Sequence, residues 1–222
     1  MIGTNNLIPK VTRNLLIINV IVWFAELAFA RIGINLVDLL GMHYIGSGKF
    51  KIYQLVTHFF LHSPATFSHL FSNMFGLFMF GGLLERVWGE KRFLIYYLIT
   101  GVGAGLIQQL TWWISMTPEM LLYKDFLIVV GASGAIFAIL LAFGMLFPNL
   151  PVFIMFIPIP IKAKWLVIGY GVIELVAGLS SGSGSNVAHF THLGGMLFGF
   201  VLIMLWRQRE RKKKENEWQD FY

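Results

Sequence analysis

The chain lacks cysteine altogether and has little charge, since Asp, Glu, Lys and Arg make up only 13% of its 222 residues. Without cysteine there is no disulfide framework and no thiol nucleophile. An ordinary soluble domain carries about 25% charged residues, so the composition argues against a soluble globular protein. The hydrophobic residues, 57% of the chain, fall in long blocks, which indicates that the bilayer surrounds most of the protein.

The net charge of +6 does not indicate a nucleic-acid-binding protein, because much of it lies in one short stretch, residues 207–214. A basic cluster directly after an apolar block is typical of a membrane flank that fixes orientation and contacts anionic lipid. The N-terminus lacks the small-residue cleavage site of a signal peptide. The first apolar block is therefore predicted to be a retained anchor.

Six apolar blocks approach the length of about 20 residues that a membrane-spanning helix needs. They cover residues 15–30, 69–84, 93–110, 126–147, 165–179 and 187–206. Lipid offers the backbone no hydrogen-bond partners, so such spans must be helical. The predicted fold class is all-α, a polytopic membrane bundle of six transmembrane helices. We expect an N-terminal cytoplasmic segment at 1–14, the membrane domain at 15–206 and a basic cytoplasmic tail at 207–222.

The distribution of basic residues predicts the orientation of the bundle. With the N-terminus in the cytoplasm, all but four of the 17 Lys and Arg residues lie on the inner side, as the positive-inside rule requires. The four on the outer side are Arg31, Lys49, Lys51 and Lys124. Both termini are thus predicted to be cytoplasmic, with residues 31–68 and the loop at 180–186 outside. The expected location is the inner or plasma membrane of a bacterial cell.

Three polar motifs interrupt the apolar spans: HLFSN at 69–73, GASG at 131–134 and HLGGMLFG at 192–199. All three host spans run from outside to inside in the predicted topology. At about 1.5 Å per residue, each motif lies one or two helical turns below the outer surface. Polar residues inside a membrane are costly, so their meeting at one depth indicates a single functional site.

The residue types in these motifs are typical of nucleophilic catalysis. Ser133 needs a general base, and His192 is the candidate. We place no carboxylate at that depth, because Asp38 and Asp125 lie in loops, so the arrangement is predicted to be a dyad and not a triad.

An acyl-transfer site also needs donors for the oxyanion. His69 and Asn73 lie four residues apart and share one helix face, so both can point at one oxygen, with the N–H of Ser133 as a third donor.

The neighbouring residues have supporting roles. Gly131 and Gly134 permit close backbone approach around the serine. Phe137 follows the serine by four residues, so its ring can pack against the candidate base. Gly195 and Gly199, also four apart, are expected to be helix-packing residues.

Other interpretations of the same residues stay open. The small residues around Ser133 also suit ordinary helix packing in membranes. His58 and His62 have the i, i+4 spacing of metal ligands, as part of a wider set with His69, His189 and His192. Without cysteine or a nearby acidic residue to complete a site, we expect no metal and no cofactor.

Two acidic residues within spans, Glu26 and Glu174, suggest a second function class. A proton-coupled transporter would use such residues. They can also simply reach the interface or hold a polar contact. A non-catalytic membrane binding protein or a small transporter is therefore the alternative to an enzyme.

The three motifs in this order resemble the rhomboid intramembrane serine proteases, over nearly the whole chain. The stretches THFFLH at 57–62 and GGLLERVWGEKRFLIYYL at 81–98 are also similar to that family. The resemblance implies a six-helix bundle with a water-filled cavity opening outward. It also implies a dyad of Ser133 and His192, and an oxyanion site of His69, Asn73 and the Ser133 amide.

The family's activity is hydrolysis of a peptide bond in or near a substrate's transmembrane helix, close to the outer membrane face. The implied partners are transmembrane protein substrates and membrane lipid, with no nucleic acid, and the sequence indicates no oligomeric state. One departure is that Tyr53 and Gln54 stand where many members have a Trp-Arg pair.

Overall fold

The computed structural model describes residues 7–153, 159–180 and 186–219. Parts of the predicted terminal segments, 1–6 and 220–222, and most of the predicted outer loop, 181–185, lie outside the described residues. The α-helices are α1 Lys10–Ala30, α2 Leu36–Leu40, α3 Gln54–Thr57, α4 Phe67–Gly76, α5 Gly82–Trp88, α6 Glu90–Ser115, α7 Pro118–Leu122, α8 Ser133–Leu146, α9 Ala163–Ser180 and α10 Asn186–Gln219. The strands pair as two short antiparallel ribbons, β1 Met42–His43 with β2 Ile128–Val129, and β3 Pro151–Val152 with β4 Ile161–Lys162.

Among the described residues, five helices are long and apolar enough to cross a membrane. They are Lys10–Ala30, Phe67–Trp88, Glu90–Ser115, Ala163–Ser180 and His189–Glu217. The second joins α4 to α5 through a π-helical turn at Leu77–Gly81. With the shorter apolar helix α8, they form the predicted all-α polytopic membrane bundle. Helix α10 continues without a break into the basic tail.

The fourth span differs from its predicted bounds, because its helix begins at Ser133 and not near residue 126. The preceding residues form a 3-10 turn at Lys124–Phe126 and then strand β2, which pairs with β1. The β-branched Ile128, Val129 and Val130 suit this extended course. A helix of 14 residues is about 21 Å long, against about 30 Å of hydrocarbon. The N-terminus of α8 can therefore lie below the membrane surface at its end of the bundle.

Helix α8 packs against α6 and α10 through small residues. A Cβ at Gly195 of α10 would overlap the carbonyl oxygen of Gly134, and one at Gly134 would come within 2.5 Å of the Cβ of Ala104 on α6. The hydroxyl of Tyr96 on α6 donates to the carbonyl of Ala138 at 2.7 Å, beside Gly199. Helices in membranes associate through such close backbone approach, since lipid provides no hydrophobic drive between them.

At the end of the bundle opposite Ser133, the side chain of Glu85 on α5 caps the N-terminus of α1. Its oxygens accept from the N–H groups of Val11 at 2.8 Å and Thr12 at 2.7 Å, and from the Thr12 hydroxyl. Helix N-terminal N–H groups have no partner within their own helix, so a buried carboxylate satisfies them from a neighbouring helix. Arg92 lies over the Trp206 ring at the same end.

The first loop, residues 31–66, is folded onto the other end of α6. Gln109 of α6 accepts from the N–H of Ile45 at 2.8 Å and donates to the carbonyl of His43 at 2.7 Å. Gln54, one of the two residues that stand where many members of the resembled family have a Trp-Arg pair, is buried and accepts from the N–H groups of His43 and Lys51. The loop is thus a fixed scaffold at the end of the bundle where Ser133 lies.

The contact between Gly195 and Gly134 leads to a stability prediction. Backbone atoms cannot move aside, so Gly195→Ala should force α10 away from α8 and lower the free energy of unfolding by about 1–3 kcal/mol. The matched control is Gly169→Ala in α9, where an added Cβ meets nothing within 4 Å and alanine favours the helix. Thermal unfolding in detergent is the measurement, and equal melting temperatures for the two variants would contradict the packing account.

Candidate functional site

Ser133 is the first residue of α8, so its N–H belongs to the helix-terminal set that lacks intrahelical partners. The chain reaches it through Gly131, whose φ of 125° favours glycine. The N–H of Gly131 donates to the carbonyl of His58 at 2.9 Å. Together with the β1–β2 pairing, this bond ties the entry of α8 to the first loop.

The structure brings His192 of α10 directly to Ser133. The two meet at 2.8 Å between Nε2 and the serine Oγ, although they are 59 positions apart in the chain. The Phe137 ring stacks on the imidazole, with centroids 4.2 Å apart and planes inclined by 6°. Phe137 thus contacts the face of the His192 ring, and Ser133 contacts its edge at Nε2, so both the position and the plane of the ring are fixed.

The hydrogen bonding of His69 determines which of its ring nitrogens can donate. Its Nδ1 accepts from the N–H of Ser63 at 3.2 Å, so in the neutral ring the proton is on Nε2. A Cβ added to Gly131 would lie 2.8 Å from that Nε2. The available donor of His69 therefore points at the backbone just before Ser133.

Asn73 is buried on the same face of α4. Its Nδ2 donates to the carbonyl of His69 at 2.7 Å, and its Oδ1 has no hydrogen-bond partner among the described residues. The face continues to Gly76, where an added Cβ would meet Ile136 of α8 at 2.9 Å. The α4 face that carries His69 and Asn73 is thus the one that packs on α8. An amide nitrogen carries two hydrogens, so Nδ2 retains one for a further acceptor.

The prediction that no carboxylate reaches the depth of His192 is wrong. Oε2 of Glu174 on α9 lies 3.0 Å from Nδ1 of His192 and 2.7 Å from Nδ1 of His189. The His189 contact is a hydrogen bond, whereas the Nδ1–H direction of His192 is not aligned with the oxygen. The carboxylate is inside the bundle because α9 packs beside α10, and the side chain is largely shielded.

The same three side chains are the described residues best placed to share a metal ion. The ligand atoms of Glu174, His189 and His192 all lie within 4.8 Å of one another. His58 and His62 are not part of this group. His58 instead donates from Nδ1 to the carbonyl of Gln54 at 2.8 Å, and burial lowers its pKa to about 4, so the ring is neutral at pH 7.

Glu26, the other acidic residue predicted within a span, holds the first loop. Its Oε2 accepts from the N–H of His62 at 3.2 Å, in the interior of the protein. The His62 ring in turn lies edge-on to that of His69, with centroids 5.3 Å apart. Both acidic residues on which a transporter interpretation relied therefore have local contacts around the site.

Sequence reasoning did not single out Ser63, Gln109 or the contact of Glu174 with the histidines. Ser63 acts through its backbone N–H, which leaves no trace in the side-chain pattern. Glu174 did leave a signal. It lies six residues before the end of α9, and His192 lies six residues after the start of α10, so both are about 9 Å from the same end of the bundle.

Comparison with known proteins identifies the family to which a chain with this site is similar. Residues 49–209 match the Rhomboid domain. The chain is 35% identical over 173 residues to the chloroplastic Rhomboid-like protein 11 of Arabidopsis thaliana, which covers 69% of this chain and 52% of the plant protein. It is 30% identical over 171 residues to the putative rhomboid protease YdcA of Bacillus subtilis, covering 76% of this chain and 74% of that protein.

A third relative is the Rhomboid protease AarA of Providencia stuartii, 30% identical over 215 residues, covering 86% of this chain and 70% of that protein. The chain thus spans about half the length of the plant relative and about 70% of each bacterial one. The family match includes all three polar motifs and most of the helix bundle. This chain is an integral membrane protein that belongs to the rhomboid family.

Proposed function

We propose that the protein is an intramembrane serine protease that cleaves transmembrane-helix substrates near the outer membrane face. The observation that carries the proposal is the 2.8 Å contact between Ser133 Oγ and His192 Nε2 at the N-terminus of α8. The names of the two bacterial relatives, a putative rhomboid protease and a rhomboid protease, support the same activity.

The chemistry follows from the positions of the two side chains. Ser133 Oγ attacks the scissile carbonyl carbon as its proton passes to His192 Nε2. The tetrahedral intermediate collapses, His192 gives that proton to the leaving amine, and an acyl-enzyme remains. Water then attacks the ester with His192 again as the base, which releases the acid and restores Ser133. The Phe137 ring keeps the imidazole in the plane that both proton transfers need.

The oxyanion of the tetrahedral intermediate has three proposed donors. The N–H of Ser133 is one, because it stands at the unpaired, positive end of α8. The Nε2–H of His69 and the second Nδ2–H of Asn73 are the others, and both project from the α4 face that packs on α8. Such donors stabilise the charge most when they are held in place before the reaction.

The substrate must be unwound locally, since a helix hides its backbone within its own hydrogen bonds. Ser133 lies at the N-terminal end of a helix shorter than the hydrocarbon core, and we therefore expect cleavage near one face of the membrane. Transmembrane segments with small or helix-destabilising residues near that face should be preferred. With both termini in the cytoplasm, the face is the outer one.

The dyad is tested with Ser133→Ala, His192→Ala and the double variant, in cleavage of a reporter substrate with one transmembrane helix by protein reconstituted in liposomes. Each single variant should abolish cleavage, because the nucleophile and the base act as a unit. The double variant should be no worse than either single one. Wild-type turnover in Ser133→Ala would end the serine-protease proposal.

The oxyanion donors are tested with His69→Ala and Asn73→Ala. Loss of one donor typically lowers kcat by about 10²–10³, while Ser133 and His192 remain able to react with a serine-directed fluorophosphonate. We therefore expect slow turnover with labelling still detectable, and Ser133→Ala serves as the unlabelled control. Unchanged turnover in both variants would remove these two residues from the mechanism.

The orientation is tested with single cysteines, because the chain has none of its own. Gly48→Cys in the exposed first loop should react with an impermeant maleimide in intact cells. Lys214→Cys in the tail should react only after the membrane is opened. Labelling of the tail cysteine in intact cells would invert the topology and move the proposed cleavage to the cytoplasmic face.

A further inference from the structure

We propose that Glu174 is a positioning residue for His192, so that the site works as a triad of Ser133, His192 and Glu174 and not as a dyad. The inference rests on the proposed function of Ser133 and His192 and adds a third residue to it. Glu174 acts through the histidine and touches neither the substrate nor the reacting bond.

The first support is the line of contacts through the imidazole. Ser133 Oγ lies 2.8 Å from Nε2, and Glu174 Oε2 lies 3.0 Å from Nδ1, on the opposite side of the ring. A neutral imidazole carries one proton, so Nε2 can accept from the serine only when the proton is on Nδ1. A carboxylate beside Nδ1 favours that tautomer.

The second support is the charge that develops during the reaction. When His192 takes the serine proton it becomes a cation, at a site where its side chain is only 15% exposed and that of Glu174 only 11%. An opposite charge 3.0 Å away stabilises the cation strongly where water is scarce. The imperfect alignment of Nδ1–H with the carboxylate belongs to the resting site, and catalytic hydrogen bonds are often poorly aligned before substrate binds.

His189 provides the competing explanation. Its Nδ1–H donates to the same Glu174 oxygen at 2.7 Å, so the carboxylate could serve only to tie α9 to α10. That structural role depends on His189, which does not contact Ser133. The positioning role depends on His192. Substitution at positions 174 and 189 therefore separates the two roles.

The experiment compares Glu174→Gln, Glu174→Asp and His189→Ala with the wild type, as full chains in liposomes, on the single-helix reporter. The fraction of molecules labelled at Ser133 after long exposure to fluorophosphonate gives the amount of folded, reactive protein. The value of kcat is calculated from that amount. Replacing a triad carboxylate by its amide costs about 10⁴ in kcat in a soluble serine protease. Because the contact here is misaligned and shared with His189, we expect a smaller loss, about 10–100-fold.

A positioning residue should affect kcat and leave KM unchanged, since Glu174 does not bind substrate. The initial rate of fluorophosphonate labelling should fall in parallel for Glu174→Gln, because it reports the reactivity of Ser133. Glu174→Asp, which keeps the charge, should recover part of kcat. His189→Ala should keep at least half of the wild-type kcat.

Two results would overturn the triad. Wild-type kcat in Glu174→Gln would show that the carboxylate is not used, and an equal loss of kcat in Glu174→Gln and His189→Ala would show that it only ties two helices together. In either case an inactive Ser133→Ala would leave the proposed protease function standing. Wild-type cleavage by Ser133→Ala would instead overturn the function and the triad together.

Discussion

The backbone approach of α8 to α10 at Gly134 and Gly195 is the contact on which the rest of the site depends. Ser133 precedes the first glycine by one residue, and His192 precedes the second by three. Because the two helices touch with no side chain between them, the serine hydroxyl and the imidazole come within hydrogen-bond distance. A larger residue at Gly195 would meet the Gly134 backbone and push α10 away from α8, whereas one at Gly134 would clash with Ala104 of α6.

The second constraint is the non-helical entry into α8. A fourth helix that began near residue 126 would place its N-terminal N–H groups a further two turns from Ser133. The β1–β2 pairing and the bond from Gly131 to the His58 carbonyl hold the chain that precedes α8, so that the helix begins only at Ser133. The first loop is itself held by Gln54, Gln109 and Glu26, so polar residues outside the Ser133–His192 pair determine where the helix dipole begins.

Much of the fold and several site residues were accessible from the sequence. Apolar blocks of the required length predicted the membrane bundle, because the backbone in lipid must be helical. Matched depth then grouped Ser133, His192, His69 and Asn73, since each lies within two turns of the same ends of its helices. The start of α8 was missed because the apolar run continues through residues 126–132, and composition does not distinguish a buried strand from a helix.

Glu174 shows the difference between what the sequence determines and what the tertiary structure determines. Its depth could be counted from the sequence, but depth is shared by every residue at that level around the bundle. Only helix packing decided that the carboxylate faces His192 and His189 and not lipid. The sequence by itself determined that lipid surrounds the chain, that the spans are helical and how deep each polar group lies. These properties depend only on local hydrophobicity and on the fixed rise per residue of a helix. The tertiary structure alone decided which groups touch, because the rotation of each helix about its axis is fixed by the packing of small residues that are distant in the sequence.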